Sequence, residues 1–101
     1  MVDINRALRL AATTGKVEIG TKATAHAVKN GHAKLVVLAR NLPQDARGEI
    51  ESAARAKGVA VVDFDGPNVE LGPACGKPFA VAALAVLEPG QSDVLQLRNQ
   101  R

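Results

Sequence analysis

A chain of 101 residues supports one compact domain rather than two, and its 47% apolar content excludes intrinsic disorder. Two Phe with no Trp or Tyr leave Ala, Val and Leu to fill the core, which favours thin, closely packed layers. The net charge of +3 is uneven: residues 1–40 carry seven Lys/Arg against Asp3 and Glu18, so the basic half is +5 and the remainder −2. That asymmetry suggests a polyanionic partner on one side, with a merely solvated surface as the alternative.

In chain order, Asp3 can cap a helix whose Ile4, Leu8 and Ala11/Ala12 share one face, with Gly15 ending it. Lys16–Ile19 is a short strand. Thr21–Asn30 reads as a helix with Ala23, Ala27 and Val28 inward and Gly31 as its stop. Leu35–Ala39 is apolar throughout, and without alternation it reads as a strand covered on both faces. Pro43 suits the first position of the next helix, which runs to about Lys57 and buries Ile50, Ala53 and Ala54. That helix pairs Glu51 with Arg55 at i,i+4, and Gly58 closes it.

Val59–Phe64 is another strand, and Asp65-Gly66-Pro67 turns the chain into a short helical segment around Asn68–Cys75. Ala80–Leu87 is a final apolar strand ended by Glu88-Pro89-Gly90. From Ser92 onward, Val94, Leu95 and Leu97 suit a short helix or edge strand. The alternation α-β-α-β-α-β-α-β with short connections predicts an α/β fold, a three-layer α/β/α sandwich with a four-stranded mixed sheet. All 101 residues fall in that single domain.

Few residues look chemical. Cys75 is the only cysteine, so no internal disulfide forms and a buried small thiol is expected. The N-terminus shows no signal pattern and no apolar run approaches the ~20 residues that span a bilayer, so a soluble, intracellular protein with no membrane partner is expected. Gly15–Lys22 resembles a P-loop but fails twice: its final pair is Thr-Lys rather than Lys-Thr, and the intervening residues form a strand. No G-x-G-x-x-G occurs. His26 and His32 lack acidic or thiol companions, so surface histidines are expected and no metal. Glu49 and Glu51 read as solvated charges, and Asp63 and Asp65 as turn residues.

Two glycine-rich corners remain. In the first, Gly20-Thr21-Lys22-Ala23-Thr24 follows a strand and opens a helix, which is the recipe for an anion site. Glycine lets a ligand approach the backbone, helix-start amides point outward, and Lys22 adds a full charge. The second corner, Glu70–Phe79, sets two glycines, two prolines and Lys77 beside Phe79, one of only two aromatics. A basic residue beside a ring suits an unstacked base, and a helix stop followed by a turn is the bland alternative.

Four motifs recur in order: Gly20–Thr24, then Ala39-Arg40-Asn41, then Val69–Gly72 with Gly76-Lys77-Pro78, and finally Leu84–Gly90. In these the chain resembles the archaeal/eukaryotic large-subunit ribosomal protein "thirty-e" family, of the superfamily that binds kink-turn RNA. The resemblance covers Asp3 to about Leu97. It implies a non-enzymatic, cofactor-free structural component of the cytoplasmic ribosome, monomeric when free. Its partners would be ribosomal RNA and other large-subunit components.

On matching positions the resemblance implies that Gly20 and Thr21 present amides to a kinked internal loop, with Lys22 beside them and Thr24 supporting the helix start. Asn41 would hydrogen-bond a base or phosphate. Leu71, Gly72, Gly76, Lys77 and Phe79 would form a third loop whose apolar members pack on an exposed base. Two alternatives stand beside this reading. One is a free-standing kink-turn RNA adaptor; the other is a small α/β module that holds a nucleotide phosphate with Gly20–Lys22.

Overall fold

The computed structural model describes residues 3–95. Asp3 is extended at φ −79°, ψ 108°, and its carboxylate accepts from the amides of Asn5 (3.1 Å) and Arg6 (3.4 Å). It caps α1 (Ile4–Thr14), which buries Ala7, Leu8 and Ala11. Thereafter the chain alternates: β1 (Lys16–Ile19), α2 (Thr21–Lys29), β2 (Leu35–Leu38), α3 (Gln44–Lys57), β3 (Ala60–Asp63), α4 (Asn68–Ala74) and β4 (Ala83–Glu88). The mixed α/β/α sandwich expected from the sequence is present.

The sheet order is β1-β4-β2-β3. β2 and β3 are parallel, and β4 runs antiparallel to both of its neighbours. The central strand β2 is buried at every residue, and its side chains divide between two cores. Leu35 and Val37 pack with Ala7, Leu8, Leu71 and Ala74, which places α1 and α4 on one face. Val36 and Leu38 pack with Ala27, Val28, Ile50 and Ala54, which places α2 and α3 on the other. The edge strands β1 and β3 are only four residues long and expose Lys16, Glu18 and Asp63, which discourages further strand addition.

Register fixes what lies at each end of the sheet. Ile19 pairs with Leu84, Leu38 with Ala83, and Leu38 with Asp63. The C-terminal ends of β1, β2 and β3 therefore meet the start of β4 along one edge, and α2, α3 and α4 all begin there.

Several local expectations are corrected. Pro43 stands just before α3 as its N-cap, at φ −57°, ψ 147°. In α2 the buried face is Thr24, Ala25, Ala27 and Val28, with Ala23 only half-buried, because the helix packs against both α3 and β4. Ala53 is likewise half-buried. Glu51 pairs with Arg47 (3.7 Å) rather than Arg55, because Arg47 is also drawn to Asp63 (2.7 Å) and to the Ala39 carbonyl (2.9 Å). Asp63 is thus an ion-pair partner, and Glu49 pairs with Lys29 at 3.4 Å. Val94 is fully buried on the α1/α4 face, where residues 94–95 are 3-10 helical, and Leu97 lies outside the described residues.

Candidate nucleic-acid interface

The edge begins at Gly20. Its backbone sits at φ 112°, ψ 154°, a region open essentially to glycine alone. A Cβ there would meet nothing within 4 Å, so conformation rather than packing demands the glycine, and the space in front of it is open. Its amide donates to the Ala83 carbonyl (2.9 Å), which pins the corner to the start of β4. No side chain caps α2, so the first amides of that helix face outward with the positive end of its dipole. Thr21 is half-buried and Lys22 exposed; among the described residues Lys22 has no ion pair.

Thr24 is a correction. Its side chain is completely buried, and Oγ1 has no hydrogen-bond partner, so it cannot reach a ligand on the surface. Thr24→Val replaces that orphaned hydroxyl with a methyl of similar volume. The substitution should raise stability by about 1 kcal/mol, read by chemical denaturation, with nucleic-acid affinity unchanged.

Beyond β2, the Ala39 amide donates to Ala82 (2.8 Å) and the Arg40 amide to Gly66 (2.8 Å), joining three loops. The Asn41 side chain is a clamp. Its Oδ1 accepts from the Asn68 amide (2.9 Å) and its Nδ2 donates to Asn68 Oδ1 (3.0 Å), so it caps α4 from across the edge. The local N-cap, Pro67, has no such group. The Asn41 side chain is otherwise exposed. The sequence expectation of a direct base or phosphate contact therefore needs qualification: most of this side chain's bonding capacity is structural.

The third segment is less of a loop than expected. Leu71 is fully buried and Gly72 is buried, so neither presents an apolar surface to a base. Gly72 is a close-approach residue: a Cβ there would lie 1.7 Å from the Phe79 carbonyl oxygen. Gly76, at φ 82°, ends α4, with its amide bonded to Pro73 O (2.9 Å) and the Lys77 amide to Gly72 O (2.9 Å). Gly76 and Lys77 thus lie at the C-terminal end of α4, about 10 Å along the helix from Asn68 at 1.5 Å per residue. The chain then returns along α4, and the Val81 amide reaches the Asn68 carbonyl (3.0 Å). On this return Phe79 is 53% exposed; Val69, on α4, is 64% exposed.

The structure therefore brings Gly20–Lys22, Asn41 and the lead-in to β4 to one edge, and sets Gly76 and Lys77 back from it. Asn68 belongs to this region and is new from the fold, with an Asn directly after Pro67 at a helix start as its available signal; Arg40 and Val69, present in the sequence motifs without a role, belong here too. The basic half of the chain does not gather here as a block. Lys22 and Arg40 lie at this edge, whereas Lys16 opens β1 and Lys34 precedes β2, so both lie at the other. Cys75 is buried, its Sγ donating to the Gly72 carbonyl (3.2 Å), and burial pushes its pKa up. Among the described residues no His, Cys, Asp and Glu group could hold a metal ion. No helix there is long and apolar enough to cross a membrane.

Outward amides, Lys22 and an exposed ring on an α/β/α edge make a surface suited to binding a polyanion. The family model described as "Ribosomal protein L7Ae/L30e/S12e/Gadd45 family" matches residues 2–96, and the chain belongs to that family. It is 52% identical to "Large ribosomal subunit protein eL30" of Pyrobaculum neutrophilum, covering 96% of each chain. It is 45% identical to the protein of the same name from Methanocaldococcus jannaschii, covering 99% of this chain and 91% of the relative. A solved structure, described as that of a protein with unknown function from Bacillus halodurans C, shares the fold. Its TM-score is 0.84 at 23% identity, with both chains fully covered.

Proposed function

We propose that this chain is a structural, non-enzymatic constituent of the large ribosomal subunit that binds a kinked internal-loop RNA through the Gly20–Asn41–Phe79 edge. The observation that carries the reading is the Gly20 corner, where a glycine-only backbone leaves open space before uncapped helix amides and Lys22. A bent RNA backbone crowds phosphates together, and a compact cluster of amides with one cation offsets that repulsion. Phe79 offers an apolar plane to a base that the bend unstacks. The names of the archaeal relatives support the ribosomal assignment, and the same reading makes ribosomal RNA and neighbouring large-subunit components the partners. Free of the ribosome, the protein acts as a monomer that needs no cofactor.

The test is a titration of kink-turn RNA over a series of salt concentrations. Lys22→Ala leaves the fold intact, because the side chain is exposed. It should weaken binding and lower the slope of log K against log salt by about one unit. An unchanged slope removes Lys22 from the interface.

A further inference from the structure

Away from the sheet edge, the outer face of α1 gathers cations that form no ion pair among the described residues. The outer face of α1 carries Arg6, Arg9, Leu10 and Thr13, at i, i+3, i+4 and i+7, opposite the buried Ala7, Leu8 and Ala11. These four residues, with Asp3 and Asn5, line a surface cleft of about 380 Å³. Among the described residues neither Arg6, Arg9 nor Lys77 forms an ion pair. The Asp3 carboxylate is occupied by the amides it caps, and Asp93 sits on the far flank of Arg6 with Gln91.

Arg9 faces the other way, toward the turn after α4. A Cβ on Gly76 would lie 3.9 Å from Arg9 Cγ, so the bare backbone of Gly76 lets the arginine stem lie against the turn that carries Lys77. Lys77, Arg9 and Arg6 therefore continue one cationic strip down the α1/α4 flank.

We propose that this strip is a second RNA-contacting surface, which grips the phosphate backbone of a helical arm leaving the kink. The inference rests on the RNA-binding function proposed above. An arm leaving the edge passes a flank of the protein, and α1, about 16 Å long, is long enough to lie along more than one phosphate of a strand. Arginines on a helix face suit such contacts, which fix orientation and are indifferent to sequence. The half-buried Leu10 between them is uncharged, and Asp3 is the one carboxylate lining the cleft.

The experiment compares wild type with the R6Q/R9Q double variant on two RNAs that share one kinked loop. In one RNA the helical arm is a full turn long; in the other it is cut to a stub. On the long arm the double variant should lose roughly tenfold in affinity at 0.1 M salt, and about two units of salt slope. On the stub it should match wild type, while Lys22→Ala weakens binding to both. R6K/R9K should restore the long-arm slope. A wild-type slope for R6Q/R9Q on the long arm overturns the proposal. If that variant also fails to co-sediment with large ribosomal subunits, the strip meets an acidic protein surface instead. Wild type that binds neither RNA above plain duplex overturns the RNA reading itself, a result distinct from the others.

Discussion

Gly72→Ala should lower the thermal midpoint by some 10–20 °C, equivalent to about 2–3 kcal/mol in a domain of this size. The added Cβ would fall 1.7 Å from the Phe79 carbonyl oxygen and 2.8 Å from its carbon, both backbone atoms that no rotamer change can move away. Helix propensity works in the opposite direction, since Ala in a helix is favoured over Gly by up to about 1 kcal/mol. The clash exceeds that gain, and the sign follows from it. Gly48 in α3 supplies the contrast: it is exposed, and a Cβ there meets nothing within 4 Å. Gly48→Ala should therefore stabilise by about 0.5–1 kcal/mol. Calorimetry on both variants checks the pair. A neutral Gly72→Ala would mean that α4 does not lie on the Phe79 backbone. RNA affinity should fall with Gly72→Ala as well, because the residue it displaces carries the exposed ring.

Phe79→Ala should weaken RNA binding by about 1–3 kcal/mol, or roughly 5- to 150-fold, with almost no change in salt slope. The two aromatics of the chain have opposite fates. Phe64 is 7% exposed and belongs to the core, whereas Phe79 keeps 53% of its surface in water. A half-exposed ring adds little to folding, so its removal should leave the thermal midpoint within a few degrees of wild type. Its backbone is held by Gly72, and so the ring needs little ordering when a base stacks on it. Isothermal titration with a kink-turn RNA separates this variant from Lys22→Ala: one loses affinity without slope, the other loses both. Wild-type affinity for Phe79→Ala would take the ring out of the interface.

Much of the fold could be read locally. Asp3, Gly31 and Gly58 mark helix ends by short-range chemistry, and the unalternating Leu35–Leu38 run reports burial on two faces without any tertiary knowledge. The Gly20 corner was legible for the same reason, since its strand, its glycine and its helix start are contiguous. What the sequence misplaced depends on which side of an element faces inward. Thr24 and Leu71 sit inside motifs that read as one continuous surface, yet each falls on the buried stripe of its helix. Glu51 has an arginine at both i−4 and i+4, and only Asp63, across the crossover into β3, decides for Arg47. The Asn41–Asn68 clamp joins residues 27 apart, and no local pattern announces it.

At this edge some residues hold others in place: Gly72 sets the Phe79 backbone, Asn41 caps the start of α4, and the Ala83 carbonyl anchors Gly20. On the proposed function only a few groups then remain to meet RNA, held at a fixed spacing. Substitutions among the holders should therefore change stability and affinity together, and substitutions among Lys22 and Phe79 affinity alone.

The most direct measurement of the central claim is the affinity of the wild-type protein for two RNAs at one salt concentration. One carries a kinked internal loop; the other has that loop closed by Watson–Crick pairs and is otherwise identical. A site built for a bent backbone and an unstacked base should prefer the kinked RNA by about a thousandfold, the lower end of specific over non-specific nucleic-acid binding. Equal affinity for the two would show that the edge binds RNA only as a polyanion, and would contradict the account.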